Sequence, residues 1–112
     1  MFAENQFRIL QFEHPQSFKG GRCCCACRDI CLFTANTTFD IAIADIKKVL
    51  LIYVQDKNFT RLRKMGWKII ENSIIPPNFV EKELVEYASD FFEVEITNYQ
   101  IVEIDVETEI GG

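Results

Sequence analysis

The sequence predicts a single α+β domain over residues 1–112, with a mainly antiparallel sheet, two or three short helices and a C-terminal β-hairpin. Three observations lead there. Segments near both ends alternate apolar and polar residues with the period of two that half-buried strands require. One late stretch, opening at Asn78, places apolar residues at the 3.6-residue spacing of an amphipathic helix. Finally, 112 residues with 48% apolar content suit one core and leave no room for a second.

Gln6 to Phe12 reads as the first strand, with Phe7, Ile9 and Gln11 alternating against Arg8, Leu10 and Phe12. His14-Pro15 closes it, and Gln16 to Arg22, containing Gly20-Gly21, is a turn or loop. RCCCACRDICLF follows as a second strand that ends near Asn36. Phe39 to Val54 carries two periods at once: Phe39, Ile41 and Ile43 alternate, while Ile43, Ile46 and Leu50 have helical spacing. The expectation is a short helix or turn around Asp40 to Lys48, with Thr38 or Asp40 able to cap a helix there, and then a buried strand from Val49 to Val54. Asp56 to Lys64 is expected to form another helix, with Asp56 as cap and Gly66 in the left-handed conformation that stops it. Trp67 to Glu71 reads as a strand, and Ile74-Ile75-Pro76-Pro77 breaks regular structure. Asn78 then caps a helix whose apolar side is Val80, Leu84, Tyr87, Ala88 and Phe91.

Phe91 to Glu109 reads as the closing hairpin, turning at Thr97, Asn98 and Tyr99. Phe92, Val94 and Ile96 oppose Glu93 and Glu95; Val102, Ile104 and Val106 oppose Glu103, Asp105 and Glu107. One face needs a core and the other is almost wholly carboxylate. Like charges opposite one another weaken a sheet, so such a face forfeits stability. The blander role of such charges is to keep a sheet edge from pairing with other chains.

The formal charge of -5 is unevenly spread. Residues 1–80 hold 11 Lys and Arg against 7 Asp and Glu, whereas residues 81–112 hold 1 against 10. An acidic end does not bind nucleic acid, which needs clustered Lys and Arg. It does suit a basic protein, for which a negative patch accelerates and orients docking. Glu93, Glu95, Glu103, Asp105 and Glu107 are the expected contacts, with Tyr99, Phe92 or Tyr87 as apolar anchors.

No apolar run near the N-terminus resembles a secretory signal, and the longest, Val49 to Val54, is about a third of the roughly 20 residues of a membrane span. A cytoplasmic protein with reduced thiols is expected, in which the sequons at Asn36 and Asn58 carry no glycan. The five cysteines, Cys23, Cys24, Cys25, Cys27 and Cys31, include one C-x-x-C, from Cys24 to Cys27. A structural zinc site takes two ligand pairs on separate loops, and here all sulfurs lie within nine residues. Cysteine as a small hydrophobe in a buried strand is the reading preferred over a metal or redox cluster of Cys23, Cys24, Cys27 and Cys31. His14, the only histidine, could pair with a cysteine nucleophile, but no local signature surrounds either. No enzyme activity and no cofactor are expected. Arg61, Arg63, Lys64 and Lys68 beside Phe59 and Trp67 could bind single strands of nucleic acid; the preferred reading has the aromatics inward and the charges solvated. Gly111-Gly112 invites comparison with ubiquitin-like modifiers, whose early hairpin and helix are not matched here.

The order of ICLFTAN, a variable segment and KKVLLIYVQDKNFTRLRKMGWKIIENSIIPPNF resembles a pattern in immunity proteins of bacterial polymorphic-toxin and contact-dependent inhibition systems. Gly66, Trp67, Lys68, Ile69 and Ile70, leading into Ile74, Ile75, Pro76 and Pro77, carry the likeness. It covers about half of the chain, and the cysteine run departs from the family's glycine-containing strand. The resemblance implies a small cytoplasmic inhibitor that binds a cognate toxin domain, often a basic nuclease, and blocks its active-site cleft. A thiol or metal protein built on the cysteine run, and a phage-type nucleic-acid mimic that inhibits a host DNA-binding protein, are the alternative readings.

Overall fold

The computed structural model describes residues 2–18, 20–55, 59–70 and 73–109, with side chains described within these except at 2–6, 17–18, 73 and 105–109. The elements in chain order are β1 (Phe2–Phe18), β2 (Gly21–Cys27), a 3-10 turn (Arg28–Ile30), β3 (Leu32–Asn36), α1 (Phe39–Val54), α2 (Thr60–Lys64), β4 (Lys68–Ile70), β5 (Ser73–Ile75), α3 (Glu81–Phe92) and β6 (Gln100–Glu109). The fold class is α+β, and its main sheet is antiparallel with strand order β3-β2-β1-β6.

Both faces of this sheet are covered. Phe7 and Ile9 of β1, Cys25 and Cys27 of β2 and Ile104 of β6 pack with Ala42, Ile46, Leu50 and Val54 of α1, and Phe59, Leu62, Trp67 and Ile74 complete that layer. On the other face Leu10, Phe12, Cys24 and Ala26 meet Leu84, Ala88 and Phe92 of α3, together with Ile96. Strands buried on both sides read as continuous apolar runs, which accounts for CCCAC. Each fully buried large side chain contributes about 1.5–3 kcal/mol.

Turn chemistry sets the joints. At Gly21 an added Cβ would lie 2.2 Å from the backbone of Asn36, so only glycine lets β2 start beside the end of β3. Gly66, at φ +97, ends α2 as the sequence predicts. Thr38 caps α1, its Oγ1 accepting the N–H of Ile41 at 3.3 Å.

Several expectations are corrected. The first strand continues past His14-Pro15 to Phe18, with an irregularity in its pairing between Glu13 and Phe18. The expected second strand is two strands separated by the 3-10 turn, with Cys31 left-handed at φ 53. Ile30 and Leu32 pack on the α1 side of the sheet. Phe39 to Val54 is one helix of 16 residues rather than helix and strand. Asp56, the expected cap of α2, lies outside the described residues; the helix starts at Thr60, after Phe59 at φ 50. Ile74 and Ile75 belong to β5, which pairs with β4. The cap of α3 is Val80 rather than Asn78.

The C-terminal hairpin is not formed. α3 runs on through Phe92, residues 94–99 connect without strand pairing, and β6 pairs with β1 from Gln11↔Gln100 to Phe2↔Glu109. Phe92 completes the helical line Leu84, Ala88, Phe92, and burying that line against the sheet outweighs the alternation of Phe92, Val94 and Ile96. Gly111-Gly112 lies outside the described residues.

Candidate functional site

The acidic end of the chain becomes a surface centred on α3 rather than a sheet face. Pro76 and Pro77 hold the approach extended, and Val80 then donates its backbone N–H to Glu83 Oε1 at 3.1 Å. With Leu84, Ala88 and Phe92 turned inward, helical geometry sends Glu83, Glu86 and Asp90 outward at i, i+3 and i+7, all exposed. Lys82 is the one cation among the described residues from Glu81 to Glu109, and it pairs with Glu86 at 3.8 Å. Both partners are well exposed, so the pair neutralises little.

Three features of this surface work against stability. Neighbouring carboxylates at i, i+3 and i, i+4 repel by about 0.2–0.5 kcal/mol per pair. Asp90 and Glu93 sit at the negative end of the helix dipole, costing each about 0.3–1 kcal/mol. Glu93 itself is left-handed, φ 53 and ψ 44, where glycine is the usual residue. The exit is nevertheless fastened: Ser89 Oγ donates to the carbonyl of Val94 at 2.6 Å and the Val94 N–H returns to the carbonyl of Ser89 at 3.3 Å.

An aromatic shelf borders the acidic face. Phe91 is 45% exposed and stacks on Phe33 with centroids 3.7 Å apart and planes 6° from parallel. The Arg28 guanidinium lies 4.7 Å from the Phe79 ring and 4.4 Å from that of Tyr87, a cation held between two π faces. Burial pushes the Tyr87 hydroxyl up to about 12, with the neighbouring Cys31 thiol adding to the rise.

The expected contact residues are thus dispersed. Glu93 and Glu95 are exposed, at the end of α3 and in the connection to β6. Glu103 is exposed on β6, opposite Arg8 in the register. Asp105 and Glu107 pair opposite Gln6 and Glu4, and their side chains lie outside the described residues. Tyr99 is half-buried and donates its hydroxyl proton to Glu81 Oε1 at 2.5 Å, a bond that raises its pKa. Sequence patterning did not single out Glu83, Glu86 or Asp90 as contacts, although their helical spacing was available in it.

The cysteines do not converge. Strand alternation sends Cys24 toward α3 and Cys25 and Cys27 toward α1, so the ends of the C-x-x-C point into different layers. Cys23 is half-buried, its thiol donating to the carbonyl of Thr37 at 3.5 Å, and Cys31 is exposed. Burial pushes the thiols of Cys24 and Cys25 up to about 11 and 12 and raises that of Cys27 further. Raised pKa values suppress the thiolate that metal binding and nucleophilic attack need. No group of three His, Cys, Asp or Glu among the described residues is placed to hold a metal.

His14 lies in β1, its Nδ1 accepting the N–H of Gln16 at 3.1 Å and its carbonyl accepting from Arg22 Nε at 3.0 Å. An open cleft of about 480 Å³ lies nearby, lined by Gln11, Glu13, Arg22, Tyr99 and Gln100 among others. Its polar groups engage one another: Gln11 Nε2 donates to Gln100 Oε1 at 3.0 Å, and Arg22 meets Glu13 at 3.7 Å. This is an amide and ion-pair arrangement.

The cations gather in the opposite layer. Lys47, Lys48, Arg61, Arg63, Lys64 and Lys68 are exposed on α1, α2 and β4, while Phe59, Leu62 and Trp67 are buried. Those aromatics therefore offer no stacking platform to bases. No helix among the described residues is long and apolar enough to cross a membrane. Comparison with protein-family models, with characterised proteins and with solved structures finds no match.

Proposed function

We propose that this protein is a non-enzymatic inhibitor of the immunity type, which acts in the cytoplasm by docking α3 and the connection to β6 against a basic toxin domain. The observation that carries the reading is the succession of exposed carboxylates Glu83, Glu86, Asp90, Glu93 and Glu95 along α3 and the connection that follows, of which Glu86 and Asp90 repel one another, Asp90 and Glu93 oppose the helix dipole and Glu93 is left-handed. Backbone strain of the kind held at Glu93 clusters at binding and switch sites. A nuclease cleft presents Lys and Arg to phosphates, and a path of carboxylates can occupy the same positions. Phe91 and the Arg28 shelf supply an apolar contact beside the charges, which steer approach and fix orientation.

The test uses the tagged protein and a Glu86→Lys/Asp90→Lys/Glu95→Lys variant side by side as baits, in lysate of the source organism at low and moderate salt. The expected result is a basic toxin-type domain retained by the native protein, lost as salt rises and not retained by the variant. Equal retention by both baits, or retention of no protein, overturns the reading.

A further inference from the structure

Helix α1 carries large apolar residues on the side where solvent calls for polar ones. Ala42, Ile46, Leu50 and Val54 face the sheet, yet Ile41, Leu51 and Ile52 on the far side are 46%, 47% and 61% exposed. A surface helix normally carries charge there, and one apolar all round is normally covered.

The order of residues on that outer side says what covers it. Ile41, Asp45, Lys48 and Ile52 follow at intervals of four, three and four, the seam spacing of two helices packed along their length. Read backwards, the seam complements itself. Two copies of α1 laid antiparallel across a two-fold axis set Ile41 of one against Ile52 of the other and Asp45 against Lys48, each contact occurring twice. A parallel pairing would instead oppose Asp45 to Asp45 and Lys48 to Lys48. Ala44 and Leu51 flank the seam, the small residue permitting close approach and the large one covering it.

We propose that the outer face of α1 is a homodimer surface, and that its occupant is the antiparallel α1 of a second copy. An anionic lipid surface is the competing occupant, because exposed Ile and Leu beside Lys47 and Lys48 also suit a membrane interface. Asp45 in the middle of the seam favours the second copy: it would face lipid phosphate in one case and Lys48 in the other. α1 and α3 lie on opposite faces of the sheet, so the dimer leaves both acidic surfaces open.

Sedimentation velocity of the full chain over a wide concentration range tests this, with circular dichroism to confirm that each variant folds. The native protein shifts from monomer to a particle of twice the mass as concentration rises. Lys48→Glu opposes carboxylates across the axis, Asp45→Lys opposes ammonium groups, and each raises the dimer dissociation constant by about tenfold or more. The double exchange Asp45→Lys/Lys48→Asp restores the pairing and with it the native association. A native protein that stays monomeric throughout, single variants that associate as the native does, or a double exchange as dissociated as the singles each overturn the proposal. So does binding to phosphatidylserine-containing vesicles by a protein that does not self-associate in solution.

Discussion

The indole N–H of Trp67 donates to the backbone carbonyl of Asp29 across 2.6 Å, joining the start of β4 to the turn between β2 and β3. From the other side the Asp29 carboxylate accepts the backbone N–H of Arg8 at 3.1 Å. β2 leaves β1 after Ala26, and the carboxylate takes over an N–H that a strand would otherwise receive. Replacing Trp67 with Phe removes the donor to the buried Asp29 carbonyl and shrinks a core side chain, so lost packing adds to the lost hydrogen bond. A loss of about 1–3 kcal/mol is expected, read as a lower midpoint in urea denaturation.

Asp29 is 1% exposed and its Oδ1 finds no partner among the described residues, so burial raises its pKa above the ordinary 3.8. The folded state thus holds this proton more firmly than the unfolded chain does. Its contribution is fully present below the unfolded pKa and lost as pH rises through the higher folded one. Asp29→Asn keeps an oxygen for the Arg8 N–H and removes the charge. It should be more stable than the native protein at neutral pH, with the advantage shrinking as pH falls toward 3.8 in parallel denaturation series. An advantage independent of pH would mean that the carboxylate's charge is not the cause.

Thiol labelling should separate the cysteines by layer. Cys31 should react first with a disulfide reagent and Cys23 more slowly, while Cys24, Cys25 and Cys27 should react only on unfolding. Because their folded pKa values are raised, stability should also fall as pH climbs above about 9. Peptide mass spectrometry after timed labelling assigns the order.

Glu93→Gly should stabilise the fold by about 0.5–1.5 kcal/mol, since glycine enters the left-handed region freely and a charge leaves the wrong end of the helix dipole. Glu83→Ala should do the reverse, costing about 0.5–2 kcal/mol through the lost bond to the Val80 N–H. Thermal denaturation of the two variants compares them directly. If the proposed docking holds, the more stable Glu93→Gly protein should bind its partner less well.

Period alone found the parts of the fold in which one face is polar. The line Leu84, Ala88, Phe92 lies among charged neighbours, and the late helix is legible from it. α1 was not, because Ile41, Leu51 and Ile52 stand among the polar residues of its outer side and blur the 3.6-residue signal into one that also fits a strand. The same apolar face that obscured the helix is the one the dimer would cover. FFEVEI misled for another reason: alternation over six residues is satisfied by a helix end followed by two inward-pointing residues, Val94 and Ile96. Of the candidate site, the sequence conveyed the sign of the charge and its place late in the chain. The carrier was hidden, since the helix-versus-strand choice at Phe92 decides which carboxylates stand together.

The pairing of β1 with β6 has a kinetic consequence. β1 is the first described element to be synthesised and β6 the last, yet they run side by side from Gln11↔Gln100 to Phe2↔Glu109. While the intervening chain is being made, β1 can find β2 on one side and nothing on the other. Contacts between residues so far apart in sequence close late and slow folding. A nascent chain therefore holds Phe7 and Ile9 beside an open strand edge through most of its synthesis, which is when chaperone capture or mispairing with a neighbouring chain has its opportunity.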